Sequence, residues 1–98
     1  MQVEIDKDSN ELTVILQGRI DGEIKNSLEE CLNSQSNSIS HIYLDMKEVE
    51  AISSNGLRAL LAFQTMVGIN RDVSVINVNK KILEVFEKTG FTDILTLK

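Results

Sequence analysis

The sequence predicts a single α/β domain, residues 1–98, with a mixed, partly parallel sheet of about four to five strands covered by about three main helices. Three observations support this fold class. The chain has 98 residues, which is enough for one hydrophobic core and too few for two. Segments with strand-like alternation of apolar residues are interleaved with segments of helical apolar spacing. Strands that alternate with helices need crossover connections, and these place parallel strands in the sheet.

The first third of the chain predicts a β-hairpin followed by a helix. Residues 2–6 and 11–18 are rich in β-branched and apolar residues, and the sequence DSN between them is typical of a turn. A helix is expected from Glu23 to Ser34 behind Asp21 as its N-cap. Residues 35–40 are expected to form a polar loop. The apolar stripe of the predicted helix consists of Ile24, Leu28, Cys31 and Leu32.

The rest of the chain predicts further alternation of strands and helices. Residues 39–46 alternate as a strand does, and the sequence KEVEAISSN then leads into a second helix. Residues 73–78 are typical of a central strand. Asn79 is expected to cap a third helix and Gly90 to end it in the left-handed conformation. A last edge strand is expected at residues 94–97.

Composition and charge exclude several classes of partner. The formal net charge of −5 opposes binding to nucleic acid, because affinity for a phosphate backbone comes mainly from lysine and arginine. The same charge opposes anionic membrane surfaces. No apolar run approaches the ~20 residues needed to cross a bilayer, so direct membrane insertion is not expected. The acidic, alternating N-terminus does not resemble a secretory signal, and a cytoplasmic location is therefore expected.

The nucleophilic and metal-binding residues are few. Cys31 and His41 are the only residues of their kinds, which excludes an internal disulfide and a zinc-ligand cluster. We interpret Cys31 as a small buried apolar residue rather than a nucleophile. His41 and Tyr43 share one face of a strand, which is more typical of a helix-covered or solvated side than of a catalytic pair. We therefore expect neither an enzyme nor a cofactor or metal site.

Small polar residues are concentrated where the second helix begins, in the sequence AISSNGLRALLAF. Ser53 or Ser54 can accept a hydrogen bond from the amides of the first helical turn. The positive end of the helix dipole also favours an anion at this place. Taken alone, however, this pattern is typical of an ordinary helix cap.

Three further segments are informative: QGRID at 17–21, LDMKEVEAISSNGLRALL at 44–61 and NKKILEVFEKTGF at 79–91. Together with the order of elements, they resemble the STAS family, which includes the anti-sigma factor antagonists. The most specific part is the motif of the type Asp-Ser-Ser-Gly-Leu, which begins here with Ser53 in place of the aspartate. In the anti-sigma factor antagonists, the serine before the glycine is phosphorylated by a partner kinase that is itself the anti-sigma factor. Asn55 occupies that position in this chain.

The remaining motif positions follow the family. Ser54 matches the first serine, Gly56 the glycine, and Asp21 the acidic residue that follows the second strand and lies near the phosphorylation site. The resemblance implies a bacterial, cytoplasmic regulator of transcription and signalling that acts through protein–protein interaction. Its partner would be an anti-sigma factor of the serine kinase type, which the domain binds and so frees a sigma factor. The oligomeric state stays open.

Asn55 leaves three hypotheses, in this order. In the first, the domain binds its partner and is not switched off at this position, because an amide cannot accept a phosphoryl group. In the second, phosphorylation moves to Ser54 or Ser53. In the third, the chain is a STAS domain of another kind, such as a subunit of a lipid-transporting ABC complex or an accessory domain of a sensor assembly.

The second helix is apolar on two sides. Leu57, Leu60, Leu61 and Val67 form a stripe that is expected to dock on the sheet. A second stripe on roughly the opposite side consists of Ala59, Ala62, Phe63 and Met66. Either a neighbouring helix or another copy covers this stripe, or Phe63 and Met66 anchor a partner beside the motif. Arg58 and Arg71 are the cations expected at the rim of such an interface or in solvent.

Overall fold

The computed structural model describes residues 2–8, 10–33, 39–69 and 71–90, which form four strands and three helices. The elements are β1 (Gln2–Asp8), β2 (Glu11–Ile20), α1 (Ile24–Asn33), β3 (His41–Ile52), α2 (Ser54–Val67), β4 (Asp72–Ile76) and α3 (Lys80–Thr89). The strand order is β1-β2-β3-β4. The hairpin pair β1 and β2 is antiparallel, whereas β2, β3 and β4 run parallel to one another. The mixed sheet with three helices confirms the predicted fold class. The strand expected at residues 94–97 lies outside the described residues.

Strand β3 extends to Ile52 and is therefore longer than the predicted strand 39–46. Two register shifts against β2 insert extra residues into β3, the first before Glu48 and the second at Glu50. The first bulge breaks the alternation of buried and exposed side chains. Two exposed residues, instead of one, lie between the buried residues Met46 and Val49. The segment therefore looks like a polar loop in sequence although its backbone continues the sheet.

The core lies between the sheet and the helices. The inward positions of the central strands are Leu12, Val14, Leu16, Ile42, Leu44 and Met46, each of which is at most 1% exposed. They form one cluster with the buried side chains of the helices. Burial of a large aliphatic side chain contributes about 1.5–3 kcal/mol, so this cluster is the main force that holds the helices on the sheet. Among the described residues, no helix is long and apolar enough to cross a membrane.

The predicted ends of α3 are confirmed, whereas Asp21 lies in the turn before α1, which begins at Ile24. The Asn79 side chain accepts a hydrogen bond from the Ile82 amide at 3.0 Å and caps α3. Gly90 ends the same helix at a φ of 77°, a left-handed conformation that glycine adopts without a steric penalty. At the start of α1, an Asp21 carboxylate oxygen accepts from the Glu23 amide at 3.0 Å.

Candidate functional site

The motif turn, Ser53–Gly56, joins strand β3 to helix α2. The Ser53 hydroxyl accepts a hydrogen bond from the Gly56 amide at 3.0 Å, and this confirms Ser53 as the N-cap. The Ser53 amide donates to the Ile20 carbonyl at 2.9 Å. The turn is therefore tied both to its own helix and to the end of strand β2.

Gly56 is the point where α2 touches the sheet. A Cβ atom at this position would lie 2.7 Å from the Ile20 carbonyl oxygen and 3.1 Å from a side-chain carbon of Ile52. The 2.7 Å distance to a backbone atom is too short for any Cβ atom, so only glycine lets the helix approach β2 so closely. The sequence assigned Gly56 to the motif, and the structure gives the physical reason for its presence.

The turn that begins with Asp21 lies beside the motif turn. A Cβ atom added to Gly22 would come within 3.3 Å of the Asn55 Cβ, so these two turns are in near contact. A depression of about 400 Å³ is lined by residues of both segments, which are Arg19, Ile20, Asp21, Ala51, Ile52 and Ser53. The fold thus brings Asp21 next to the motif, although more than thirty residues separate them in sequence.

Three consecutive motif residues, Ser53, Ser54 and Asn55, are exposed to solvent. Their positions matter because the first turn of α2 contains no acidic residue, and its free amides therefore carry an uncompensated partial positive charge. The Ser53 hydroxyl is occupied by the cap. The Ser54 hydroxyl takes part in no hydrogen bond with the part of the chain that the structure describes. Asn55 presents a neutral amide in this first turn of α2.

The face of α2 that meets the core differs from the predicted one. Phe63 is 1% exposed and Ala59 is 8% exposed, so the prediction that these two residues form a partner-binding surface was wrong. Leu61, predicted to point inward, is only half-buried. The reason is the contact of Gly56 with β2, which rotates the helix so that its buried side lies between the two predicted stripes. The buried residues are Gly56, Leu57, Ala59, Leu60, Phe63 and Val67.

The solvent side of α2 carries a mixed surface that starts at the motif turn. We call it the outer ridge, and it consists of Arg58, Ala62 and Met66, spaced four residues apart on the helix, together with the exposed Ile69 just beyond the C-cap Gly68. Met66 is 46% exposed and Ile69 is 79% exposed, and they are the exposed large apolar residues of the described chain. The ridge therefore continues the polar motif turn with an apolar strip.

Arg71, expected at an interface rim or in solvent, has a structural role instead. Its Nε donates a hydrogen bond to the Ile39 carbonyl at 2.9 Å, and the residue is half-buried. This bond ties the connection before β4 to the start of β3. Arg58 is exposed and remains the predicted rim cation.

His41 and Tyr43 stack on each other, with ring centroids 4.2 Å apart and an interplanar angle of 24°. His41 Nε2 lies 2.9 Å from the Ser74 hydroxyl, which is 1% exposed. Tyr43 donates a hydrogen bond to a Glu11 carboxylate oxygen at 3.0 Å, and this bond raises the pKa of the tyrosine hydroxyl. The histidine and serine resemble a base and a nucleophile, but a buried Ser74 is closed to substrate. The contacts join neighbouring strands.

Cys31 is half-buried on α1. Burial raises the pKa of its thiol, and the charge of Glu30 raises it further. A raised pKa leaves less thiolate at neutral pH, which is the opposite of what an activated nucleophile needs. Over the described ranges no group of three or more histidine, cysteine, aspartate or glutamate side chains is arranged to hold a metal ion.

Sequence reasoning missed Arg19, which lines the same depression as Asp21 and Ser53. Arg19 lies opposite the second bulge of β3, directly after Gly18, which adopts a φ of 82°. A glycine inside an otherwise regular strand pattern is the sequence signal for such a bulge, which changes the direction of the next side chain.

Comparison with known proteins agrees with this geometry. The chain is similar in structure to an anti-sigma factor antagonist from Mycobacterium paratuberculosis, with a TM-score of 0.79, 21% identity and coverage of 98% of this chain and 83% of the other. It is similar to the unphosphorylated anti-sigma factor antagonist SpoIIAA, with a TM-score of 0.74, 12% identity and coverage of 99% and 88%. A sulfate transporter family protein from Wolinella succinogenes gives a TM-score of 0.77 at 18% identity, with coverage of 90% and 73%.

These identities establish the fold and nothing finer. No curated protein sequence is significantly similar to the chain. The sequence profile described as "STAS domain" matches residues 2–98, which is almost the whole chain. The chain therefore belongs to the STAS domain family.

Proposed function

We propose that this domain is a non-catalytic, cytoplasmic docking module that binds a protein partner through the motif turn and the outer ridge. The partner is an anti-sigma factor of the serine kinase type, and binding frees its sigma factor. The observation that carries this proposal is the exposure of Ser53, Ser54 and Asn55 at the start of a helix whose outer side continues as an apolar strip. Such a combination of a polar turn and an adaptable apolar surface suits a protein interface.

Asn55 keeps the motif turn uncharged in this proposal. A phosphate would add about −1.5 to −2 charges and three acceptor oxygens to the docking surface. A partner that fits the neutral turn would be repelled by this charge. Its binding would also carry the free-energy cost of removing water from the phosphate. Because the Asn55 side chain has no hydroxyl, the domain stays in its binding form at this position.

If a kinase acts on the motif turn, Ser54 is the better acceptor. The Ser53 hydroxyl accepts the Gly56 amide, and loss of an N-cap bond costs about 1 kcal/mol. The exposed Ser54 hydroxyl has no such role, and a phosphate there would lie in the first turn of α2, where the helix dipole stabilises it. Its side chain points about 100° away from that of Asn55, so it would mark a different part of the interface.

A second candidate function is that of an accessory domain in a transporter. The structural likeness to a sulfate transporter family protein favours it, and the third hypothesis from sequence belongs to the same class. The two functions differ in the partner they require. An antagonist binds a kinase-like regulator, whereas an accessory domain binds a membrane permease or its ATPase.

Affinity capture from an extract of the source cells tests the proposal. The wild-type chain is compared with Ala62→Asp on the outer ridge and with Lys88→Glu in the last turn of α3, both of which are exposed positions. We expect a kinase-type anti-sigma factor to be recovered with the wild type and with Lys88→Glu, and lost with Ala62→Asp. Recovery of transport proteins, or equal recovery by all three chains, would contradict the proposal. Intact-mass measurement of the captured chain reads the phosphorylation of Ser54.

A further inference from the structure

A second depression lies where strands β2 and β3 end and helix α3 begins. It has a volume of about 640 Å³ and is lined by Arg19, Val49, Glu50, Ala51, Asn79 and Lys81. Lys80 precedes Lys81 in the first turn of α3, and both lysines are exposed. We call this surface, with Lys80 included, the basic depression.

The charges of the basic depression work against the stability of the fold. Lys80 and Lys81 occupy the first turn of α3, where the positive end of the helix dipole disfavours cations, and no acidic residue is present there to compensate. Within the described ranges neither lysine, nor Arg19, has a carboxylate within ion-pair distance. The chain as a whole has a net charge of −5, so a local excess of unpaired cations is unexpected. A feature that opposes stability without a structural gain points to binding.

The walls of the depression are held in place by backbone contacts. The Asn79 amide group donates to the Val49 carbonyl at 2.9 Å, while its oxygen caps α3. This pair of bonds fixes the lysine-bearing turn against the bulge of β3 that contains Glu50. On the β2 side of the same bulge, Gly18 has a φ of 82° and is followed by Arg19. A partner would therefore meet cations carried on a preformed backbone.

The basic depression is continuous with the proposed docking site. Arg19 and Ala51 line both this depression and the smaller one beside Asp21 and Ser53. A protein that covers the motif turn would thus extend onto the lysines of α3 without crossing another element.

We propose that the basic depression binds an acidic segment of the protein partner, with Arg19, Lys80 and Lys81 facing its carboxylates. This inference rests on the proposed function, because it adds the charge of the partner to the same docking surface. Charge complementarity selects this occupant: Arg19 and Lys81 line the depression beside a single carboxylate, that of Glu50, and Lys80 adds a further cation in the same helical turn. Nucleic acid would need a larger basic surface than this acidic chain provides.

Titration with a blocked hexaglutamate peptide, followed by amide chemical shifts, tests the inference. We expect the shifts to concentrate on Arg19, on residues 49–51 and on residues 79–82. They should weaken when salt is raised to about 150 mM, because exposed charge pairs are screened. Lys81→Glu should lower the affinity about fivefold. The matched variant Lys88→Glu makes the same charge change about 10 Å further along α3 and should leave the affinity unchanged.

Three results would overturn the inference: shifts scattered over the whole surface, equal effects of the two lysine variants, or the same shifts produced by inorganic phosphate at equal concentration. The last would indicate a general anion site rather than a surface for an acidic segment. The captured partner separates this failure from failure of the proposed function. If Ala62→Asp abolishes capture and Lys81→Glu recovers as much partner as the wild type does, the acidic segment is refuted and the docking site stands. If both variants capture normally, both proposals fail.

Discussion

Replacement of Gly56 by alanine gives the sharpest test of how the motif turn is held. Helix propensity alone predicts stabilisation, because alanine is favoured over glycine within a helix by about 0.8–1 kcal/mol. The structure predicts the opposite. The new Cβ would lie 2.7 Å from the Ile20 carbonyl oxygen, which already accepts a hydrogen bond from the Ser53 amide. Helix α2 would have to move away from β2.

The net effect follows from three contributions. Overpacking of a buried position costs about 1–3 kcal/mol. Weakening of the bond from Ser53 to Ile20 adds about 1 kcal/mol, and the helix propensity of alanine offsets about the same amount. Gly56→Ala should therefore destabilise the domain by about 1–3 kcal/mol. For a domain of this size, each 1 kcal/mol lowers the melting temperature by about 4–8 °C.

Thermal and urea unfolding measure this effect, with Ala62→Gly as the control. Ala62 is exposed on the same helix, so its replacement should report helix propensity alone and destabilise by about 1 kcal/mol. Gly56→Ala and Ala62→Gly should both lower the midpoints of thermal and urea unfolding. A higher melting temperature for Gly56→Ala would refute the close contact between α2 and β2.

Three further predictions concern contacts outside the motif. Asn79→Ala removes the α3 cap and the bond to the Val49 carbonyl, so the free energy of unfolding should fall by about 2 kcal/mol in urea; a change below about 0.5 kcal/mol would contradict the dual role. Arg71→Ala should lower stability by about 1 kcal/mol through loss of its bond to Ile39 and leave partner affinity unchanged, whereas lost affinity with unchanged stability would reverse that assignment. The pKa of the Cys31 thiol is raised, so at about pH 8 a smaller fraction of it is thiolate than in a free model thiol. Iodoacetamide should therefore alkylate Cys31 more slowly than the model thiol, and an equal rate would contradict this.

Local patterns were enough to predict most of the fold. The alternating apolar residues, the turn residues and the caps at Asn79 and Gly90 act over a few positions, and the structure confirms them; Asp21 instead bonds within the turn before α1. The extension of β3 was missed because a bulge between Met46 and Val49 shifts the side-chain alternation and makes a strand look polar.

The candidate site was predicted less completely, because its orientation depends on contacts between distant residues. The buried side of α2 is set by the approach of Gly56 to Ile20. The helical spacing of apolar residues does not reveal this contact, and the predicted exposed side therefore included Phe63, which is buried. Arg71 bonds to a carbonyl 32 positions away, and a sequence pattern cannot indicate such a pairing. The exposed motif turn, in contrast, follows from the local cap at Ser53.

A negative charge at position 55 is expected to weaken partner binding without lowering the stability of the fold. An aspartate here would lie in the first turn of α2, where the helix dipole favours a negative charge by about 0.3–1 kcal/mol. Asn55→Asp should therefore leave the free domain as stable as the wild type or slightly more stable. The same charge should repel a partner that fits the neutral turn. Asn55→Ser is the matched neutral control.

The decisive measurement is the calorimetric dissociation constant of the complex between the captured partner and each of these variants. We expect Asn55→Asp to weaken binding at least about tenfold while its melting temperature is unchanged or higher, and Asn55→Ser to bind as the wild type does. Equal affinities for all three chains would show that the partner does not contact the start of α2.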